Sequence, residues 1–297
     1  MSAAIGRVGE VGRPPPPPGT VTLMGVRLDA LTVEGAAERV CASLGARVGG
    51  WVITPNLDIL RRLVRDQEFA DLCAPATMRL ADGMPLVWAA RLRGTPLPGR
   101  AAGSDLIWPL CRRAAREGRS VFLLGGNPGT AEAAAARLRG ECPGLPIAGT
   151  ECPPLGFEHD LRYVEDLLDR VAAARPDIVL VALGSPKQER LISRLRERLP
   201  GAWLLGIGVT FSFVTGEIRR APAWMRRIGL EWVHRLAQEP GRLARRYLVD
   251  GVPFAARLLA WAVGQRLWWG RAGARGPDVP VGTGTPPHCG SESGEKC

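Results

Sequence analysis

Between residues 20 and 216 the apolar positions fall into two alternating kinds of run. Short runs rich in Val, Ile and Leu close on Gly, Pro or Asp. Longer runs place apolar residues three and four apart. The first kind reads as strands buried on both faces, the second as amphipathic helices. Strands are expected over 21–26, 50–54, 77–81, 120–124, 146–150, 178–183 and 202–209. Helices are expected over 31–44, 57–72, 85–93, 105–117 with Ser104 as its cap, 130–139, 160–174 and 188–199. Strands alternating with helices argue for an α/β fold, a Rossmann-like, largely parallel sheet flanked by helices.

The stretch IVLVALGSPKQER at 178–190 shows the pattern most clearly. In an open α/β sheet, ligands sit at the carboxyl ends of strands. Lys187, Gln188 and Glu189 therefore stand where a ligand would, although an ordinary strand-to-helix turn has the same pattern. Thr54 and Asn56 end the expected strand 50–54 in the same way, and Asp82 ends 77–81. A carboxylate at that edge can act as a general base; an Asp-Gly turn is the plainer reading of Asp82 taken alone. Two glycine turns follow strands, GGNPG at 125–129 and LGSP at 183–186. Such turns let backbone approach a phosphate, which makes Gly126 a candidate contact. Neither matches G-x-G-x-x-G or a P-loop.

After Gly216 the pattern changes. Pro222, Gly229, Pro240 and Gly251 punctuate short helices dense in Arg and Trp, so 217–270 reads as a helical basic appendage to an α/β domain over 20–216. Residues 1–19 and 271–297 are Gly/Pro/Ser-rich and read as disordered tails. Charge sharpens this division. The chain has 297 residues and a net charge of +10, with Lys187 and Lys296 its only lysines. Twelve arginines face three acidic residues between 218 and 275. Such a segment points to phosphate, anionic lipid or nucleic acid. Residues 254–269 suit either a helix lying among the headgroups of an anionic bilayer or one packed on a core. No apolar run is long enough to span a membrane, and residues 1–19 lack the apolar centre of a signal peptide. The seven cysteines show neither C-x-x-C nor metal spacing with the three histidines, which suits reduced thiols in a cytosolic protein. There is no D-x-D.

The order of motifs resembles the WecG/TagA/CpsF glycosyltransferase family. The resemblance rests on TPNLDIL at 54–60, ADGMPLVWAARLRG at 81–94, GRAAGSDL at 99–106, VFLLGGNPG at 121–129 and PDIVLVALGSPKQE at 176–189. RRAPAWMRRIGLEWVHRLAQEPGRLARRYL at 219–248 extends it. It implies metal-independent, inverting transfer of N-acetylmannosamine or a related sugar, such as glucose or glucuronic acid, from a UDP-sugar donor. The acceptor implied is a polyprenyl-diphosphate-linked saccharide of cell-surface polysaccharide synthesis. No cofactor is called for. The protein would sit peripherally on the inner face of the plasma membrane, with homo-oligomerisation left open. The resemblance makes Asp82 the catalytic base and gives Thr54, Asn56, Arg100 and Gln188 substrate contacts. Arg235, Arg242 and Arg245 become arginines of an appendage that closes over the site and holds a diphosphate, and Glu231-Trp232 belongs to the same signature. Phe211-Ser212-Phe213 departs from the pattern, since many relatives carry Asp at the middle position.

Two other readings compete. A Rossmann-type oxidoreductase or methyltransferase lacks its glycine fingerprint here, and neither glycine turn is followed about 20 residues on by a suitably placed acid. A nucleic-acid-binding protein would suit the charge, but no DNA or RNA module is recognisable and no nucleic-acid partner is expected.

Overall fold

A computed structural model of the chain describes residues 19–273, so the two expected tails fall almost wholly outside the described residues. The chain opens with an antiparallel hairpin, β1 (Thr20–Leu23) and β2 (Val26–Asp29), followed by α1 (Val33–Gly45). Next come β3 (Gly50–Ile53), α2 (Leu57–Arg65), α3 (Gln67–Cys73), β4 (Met78–Arg79), α4 (Met84–Arg93) and α5 (Gly103–Glu117). Then follow β5 (Val121–Gly125), α6 (Thr130–Glu141), β6 (Ile147–Glu151), α7 (Leu161–Ala173), β7 (Ile178–Ala182), α8 (Lys187–Arg198), β8 (Trp203–Gly206) and α9 (Thr210–Thr215). The C-terminal part carries α10 (Ala223–Arg227), α11 (Glu231–Gln238), α12 (Pro240–Ala244), a π-helical turn (Arg245–Gly251) and α13 (Val252–Gly273).

Six strands form one sheet in the order β4-β3-β8-β7-β5-β6, with every pairing parallel. A parallel sheet must be covered on both faces, and its strand residues alternate between the two layers. Val52, Val121, Leu123, Ile178 and Leu180 face a layer built by α1, α5, α6 and α9. Trp51, Ile53, Phe122, Leu124, Val179 and Val181 face α2, α3, α7 and α8. Both faces of these strands are apolar, which is why the sequence shows continuous runs here instead of alternation. Because all strands run one way, the loops after β3, β4, β5, β7 and β8 leave at a single edge. Thr54, Asp82, Gly126 and Gln188 all lie on those loops or just beyond them.

Several expected elements take different limits. The strand expected over 21–26 is a hairpin turning at Met24-Gly25, both at positive φ. The helix expected over 57–72 breaks at Asp66, whose carboxylate accepts a hydrogen bond from the Phe69 amide at 3.0 Å and starts α3. Helix α5 begins at Gly103, one residue before the expected cap; the Ser104 hydroxyl instead accepts from Arg220 Nη2 at 2.9 Å. The last strand ends at Gly206, because the chain must turn there into α9.

Of the two readings of 254–269, packing on a core holds along one stripe of the C-terminal helix. Phe254, Leu258 and Ala262, four residues apart, are buried against Leu60, Leu86, Ala89, Ala90 and the hairpin residues Leu23 and Leu28. Val263, Leu267 and Trp268 remain exposed. Among the described residues no helix is long and apolar enough to cross a membrane. Truncating Phe254 to Ala should lower unfolding stability by about 3–5 kcal/mol, read from urea denaturation. Leu267→Ala should change it by less than about 0.5 kcal/mol. Equal, small effects would show that α13 is not part of the folded core.

Candidate active site

Backbone bonds bring the strand-end residues together. Asp82 N–H donates to the Pro55 carbonyl at 2.8 Å, tying the loop after β4 to the loop after β3. Ala101 N–H donates to the Ala81 carbonyl at 2.8 Å and draws Arg100 beside Asp82. Thr54 is buried, and its hydroxyl donates to the Gly206 carbonyl at 3.2 Å on the neighbouring β8. Asn56 caps α2, its side-chain oxygen accepting from the Asp58 and Ile59 amides at 3.1 and 3.0 Å. Only its amide nitrogen is left for a ligand.

Gln188 is buried, with both ends of its amide engaged. Its oxygen accepts from Gly208 N–H at 3.1 Å, and its nitrogen donates to Glu189 Oε1 at 2.9 Å. Gly206 makes room for it: a Cβ there would lie 2.8 Å from Gln188 Nε2. One N–H of Gln188 remains available. Burial pushes the Glu189 carboxyl pKa up, against the hydrogen bond from Gln188.

The glycine loop after β5 is less open to phosphate than its sequence suggests. Gly126 N–H is already bonded to the Ala182 carbonyl at 2.8 Å. Beside the loop lies Glu217, whose carboxylate accepts from Thr130 Oγ1 at 2.6 Å, Ser212 Oγ at 2.9 Å and Asn127 Nδ2 at 3.4 Å. Those hydroxyl and amide donors, Thr130 first, hold its pKa below the usual carboxylate range. Ser212 thus holds a carboxylate that comes from five residues further on.

Around Asp82 the structure assembles a network of alternating charge. Arg100 donates to Asp105 Oδ2 at 2.7 Å and to Glu231 Oε2 of α11. Arg220 reaches Asp105 Oδ1 at 2.7 Å and Glu231 Oε1 at 3.6 Å, and Arg226 reaches Asp105 Oδ1 at 3.5 Å. Desolvation pushes the Asp82 pKa up to about 6; Arg100 and Arg220 pull it down, while Glu231 and Asp105 push it further up. Burial disfavours the Arg100 charge, but Asp82, Glu231 and Asp105 outweigh it and hold that guanidinium pKa above its ordinary value. A carboxylate with such a pKa is ionised near neutrality and still basic enough to take a proton from a hydroxyl.

The model of the glycosyl transferase WecG/TagA/CpsF family matches residues 21–267. This chain belongs to that family. It is 32% identical over 202 residues to the N-acetylglucosaminyldiphosphoundecaprenol N-acetyl-beta-D-mannosaminyltransferase of Bacillus subtilis (strain 168), covering 67% of this chain and 75% of that one. It is 34% identical over 197 residues to the enzyme of the same name from Bacillus spizizenii (strain ATCC 23059 / NRRL B-14472 / W23), covering 66% and 74%. The protein is a glycosyltransferase of cell-surface polysaccharide synthesis.

In this WecG/TagA/CpsF member, the C-terminal arginines that pair with Asp105 or Glu231 among the described residues are Arg220 and Arg226. Arg235 lies 5.9 Å over the Phe213 ring, as does Arg220. Arg245 is exposed. Arg242 lies in α12, and its side chain falls outside the described residues. Arg220 and Arg226, together with Asp105, are the network members that sequence reasoning did not single out. The available signal was GSD at the start of α5, five residues after Arg100, an acid placed to pair with it. A second tie sits at α2, where Asp58 pairs with Arg246 at 3.0 Å and Arg61 with Asp250 at 3.7 Å.

With unprotonated Asp82 as the active form, kcat/KM should fall on the acid side with an apparent pKa of about 6. Arg100→Gln should move that limb to higher pH and Glu231→Gln to lower pH, since the first removes a cation beside the carboxylate and the second an anion. A profile unmoved by either change would separate Asp82 from the acid limb.

Proposed function

We propose that the protein transfers a sugar, N-acetylmannosamine or a related hexose, from a UDP-sugar to a saccharide carried on a polyprenyl diphosphate. The observation that supports this best is Asp82, a carboxylate at the ligand edge of the sheet with its pKa pushed up to about 6 beside a cluster of guanidiniums. The relatives named above act on N-acetylglucosaminyldiphosphoundecaprenol.

In the mechanism this supports, Asp82 takes the proton of the acceptor hydroxyl as its oxygen bonds to the anomeric carbon. The bond from that carbon to the UDP oxygen breaks on the opposite face, so configuration inverts. Charge growing on the departing diphosphate is stabilised by arginines, in a metal-independent way. Thr54, the free N–H groups of Asn56 and Gln188, and the Gly126 turn shape the donor side. Arg235, Arg242 and Arg245 belong to the segment that covers the site.

The same reading puts the protein peripherally on the cytoplasmic face of the plasma membrane. Exposed Trp224, Ile228, Leu248 and Trp268 accompany the arginines of the C-terminal helices, a composition suited to an anionic bilayer surface. Binding to phosphatidylglycerol vesicles should weaken as salt rises and be lost in a Trp224→Glu, Trp268→Glu variant; unchanged sedimentation would remove the membrane assignment.

The main test is a panel of UDP-sugars against N-acetylglucosaminyl diphosphate-linked prenyl acceptors, reading UDP release. Asp82→Asn should lower turnover by about 10²-fold or more while UDP-sugar affinity stays within about twofold of wild type. Near-normal turnover in that variant would rule out Asp82 as the base.

A further inference from the structure

Beside the catalytic carboxylate lies a cavity of about 430 Å³ lined by Met84, Arg100, Ala223, Arg226 and Arg227. Its polar lining is three guanidiniums, with no carboxylate among the lining residues. Arg100 is neutralised by Asp105 and Glu231, and Arg226 touches Asp105 only at 3.5 Å. Arg227 is exposed and has no ion pair among the described residues. Arg227 therefore adds positive charge with no paired carboxylate among the described residues, beside two further guanidinium forks suited to phosphoryl oxygens.

Three features bear on which phosphate it takes. Met84 follows Asp82 by two residues, so the lining begins within about 7 Å of the base along the chain. In-line displacement puts the donor diphosphate on the face of the sugar remote from the base. The acceptor lies on the base side, with a single sugar between its reacting hydroxyl and its own diphosphate. The third feature is apolar. Trp224 and Ile228 flank Arg226 and Arg227 in sequence and are 58% and 51% exposed; Trp88 of α4 is 36% exposed. Gly229 holds these helices close, since a Cβ there would lie 2.8 Å from Met84 Cβ and from the Trp88 ring.

We propose that the Arg100–Arg226–Arg227 cavity binds the diphosphate of the lipid-linked acceptor, with Trp224, Ile228 and Trp88 receiving the first isoprene units of its chain. This rests on the proposed transferase reading and adds to it a separate seat for the acceptor. An isoprenoid diphosphate matches both features, guanidiniums lining the cavity and exposed apolar side chains on the same short segment; a nucleotide matches only the charge.

The test is direct binding, which needs no turnover and so stands apart from the donor screen. Geranylgeranyl diphosphate, geranylgeraniol and UDP are titrated against the full chain by calorimetry. Wild type should bind geranylgeranyl diphosphate at least tenfold more tightly than geranylgeraniol. Arg226→Ala/Arg227→Ala should lose about tenfold or more in that affinity while UDP affinity holds. In transfer assays the same variant should raise KM for the prenyl acceptor and leave donor KM unchanged. Arg227→Ala alone, at an exposed position with no ion pair among the described residues, gives a smaller loss in the same direction. Unchanged prenyl-diphosphate affinity in both variants, or a loss of UDP affinity in its place, would overturn the proposal. So would equal binding of the alcohol and the diphosphate. Failure of every UDP-sugar in the donor screen with prenyl-diphosphate binding intact would count against the transferase reading and leave the cavity assignment standing.

Discussion

Arg100 holds two carboxylates that come from distant parts of the chain, Asp105 at the start of α5 and Glu231 at the start of α11. Its side chain is only 14% exposed, so leaving it unpaired would strand a charge with little water to solvate it. That requirement joins the C-terminal helices to the ligand edge of the sheet. Arg220 strengthens the link by sharing both carboxylates, and Phe213 provides a ring surface for Arg220 and Arg235. The site is thus completed by a segment whose own short helices bury few residues.

The apolar contacts of the C-terminal part complement these ionic ones. The stripe Phe254, Leu258 and Ala262 docks α13 on α4 and the N-terminal hairpin, so the first and last described elements share one small core. Between that anchor and the sheet, α10 and α11 are fixed by ion pairs and by the close approach at Gly229, and α12 buries Leu243. Partly exposed ion pairs contribute modestly to stability and can exchange partners for an anionic ligand. The C-terminal part thus combines an apolar anchor with an ionic inner face.

An ionised Asp82 comes at some expense to stability. A carboxyl whose folded pKa is raised favours the folded state most at a pH below its unfolded value near about 4. That contribution is lost as pH rises through about 6, where folded Asp82 ionises. The protein therefore holds an ionised Asp82 at neutral pH at a cost, offset by neighbouring Arg100 and Arg220. Burial acts in the same direction on the cysteines: it raises the Cys41 thiol pKa to about 11 and Cys73 to about 12, which leaves them neutral, inert packing groups.

The parallel sheet was legible in the sequence because a strand covered on both faces must be apolar at every position, and 121–125 and 178–182 are. Asp82, Thr54 and Gln188 were legible as strand-end polar residues for the same local reason, since a strand's end is marked by what stops it. The capping role of Asn56 and the engaged N–H of Gly126 were not, because each depends on partners that only the folded backbone supplies. Neither were Arg220 and Arg226. A dozen arginines between 218 and 275 look alike in sequence, and which of them reach Asp105 and Glu231 is decided only by tertiary packing. Local periodicity determines elements, since it acts over one or two turns of chain. Charge pairing across more than a hundred residues, as between Arg100 and Glu231, is decided only when tertiary packing brings the partners out of water together.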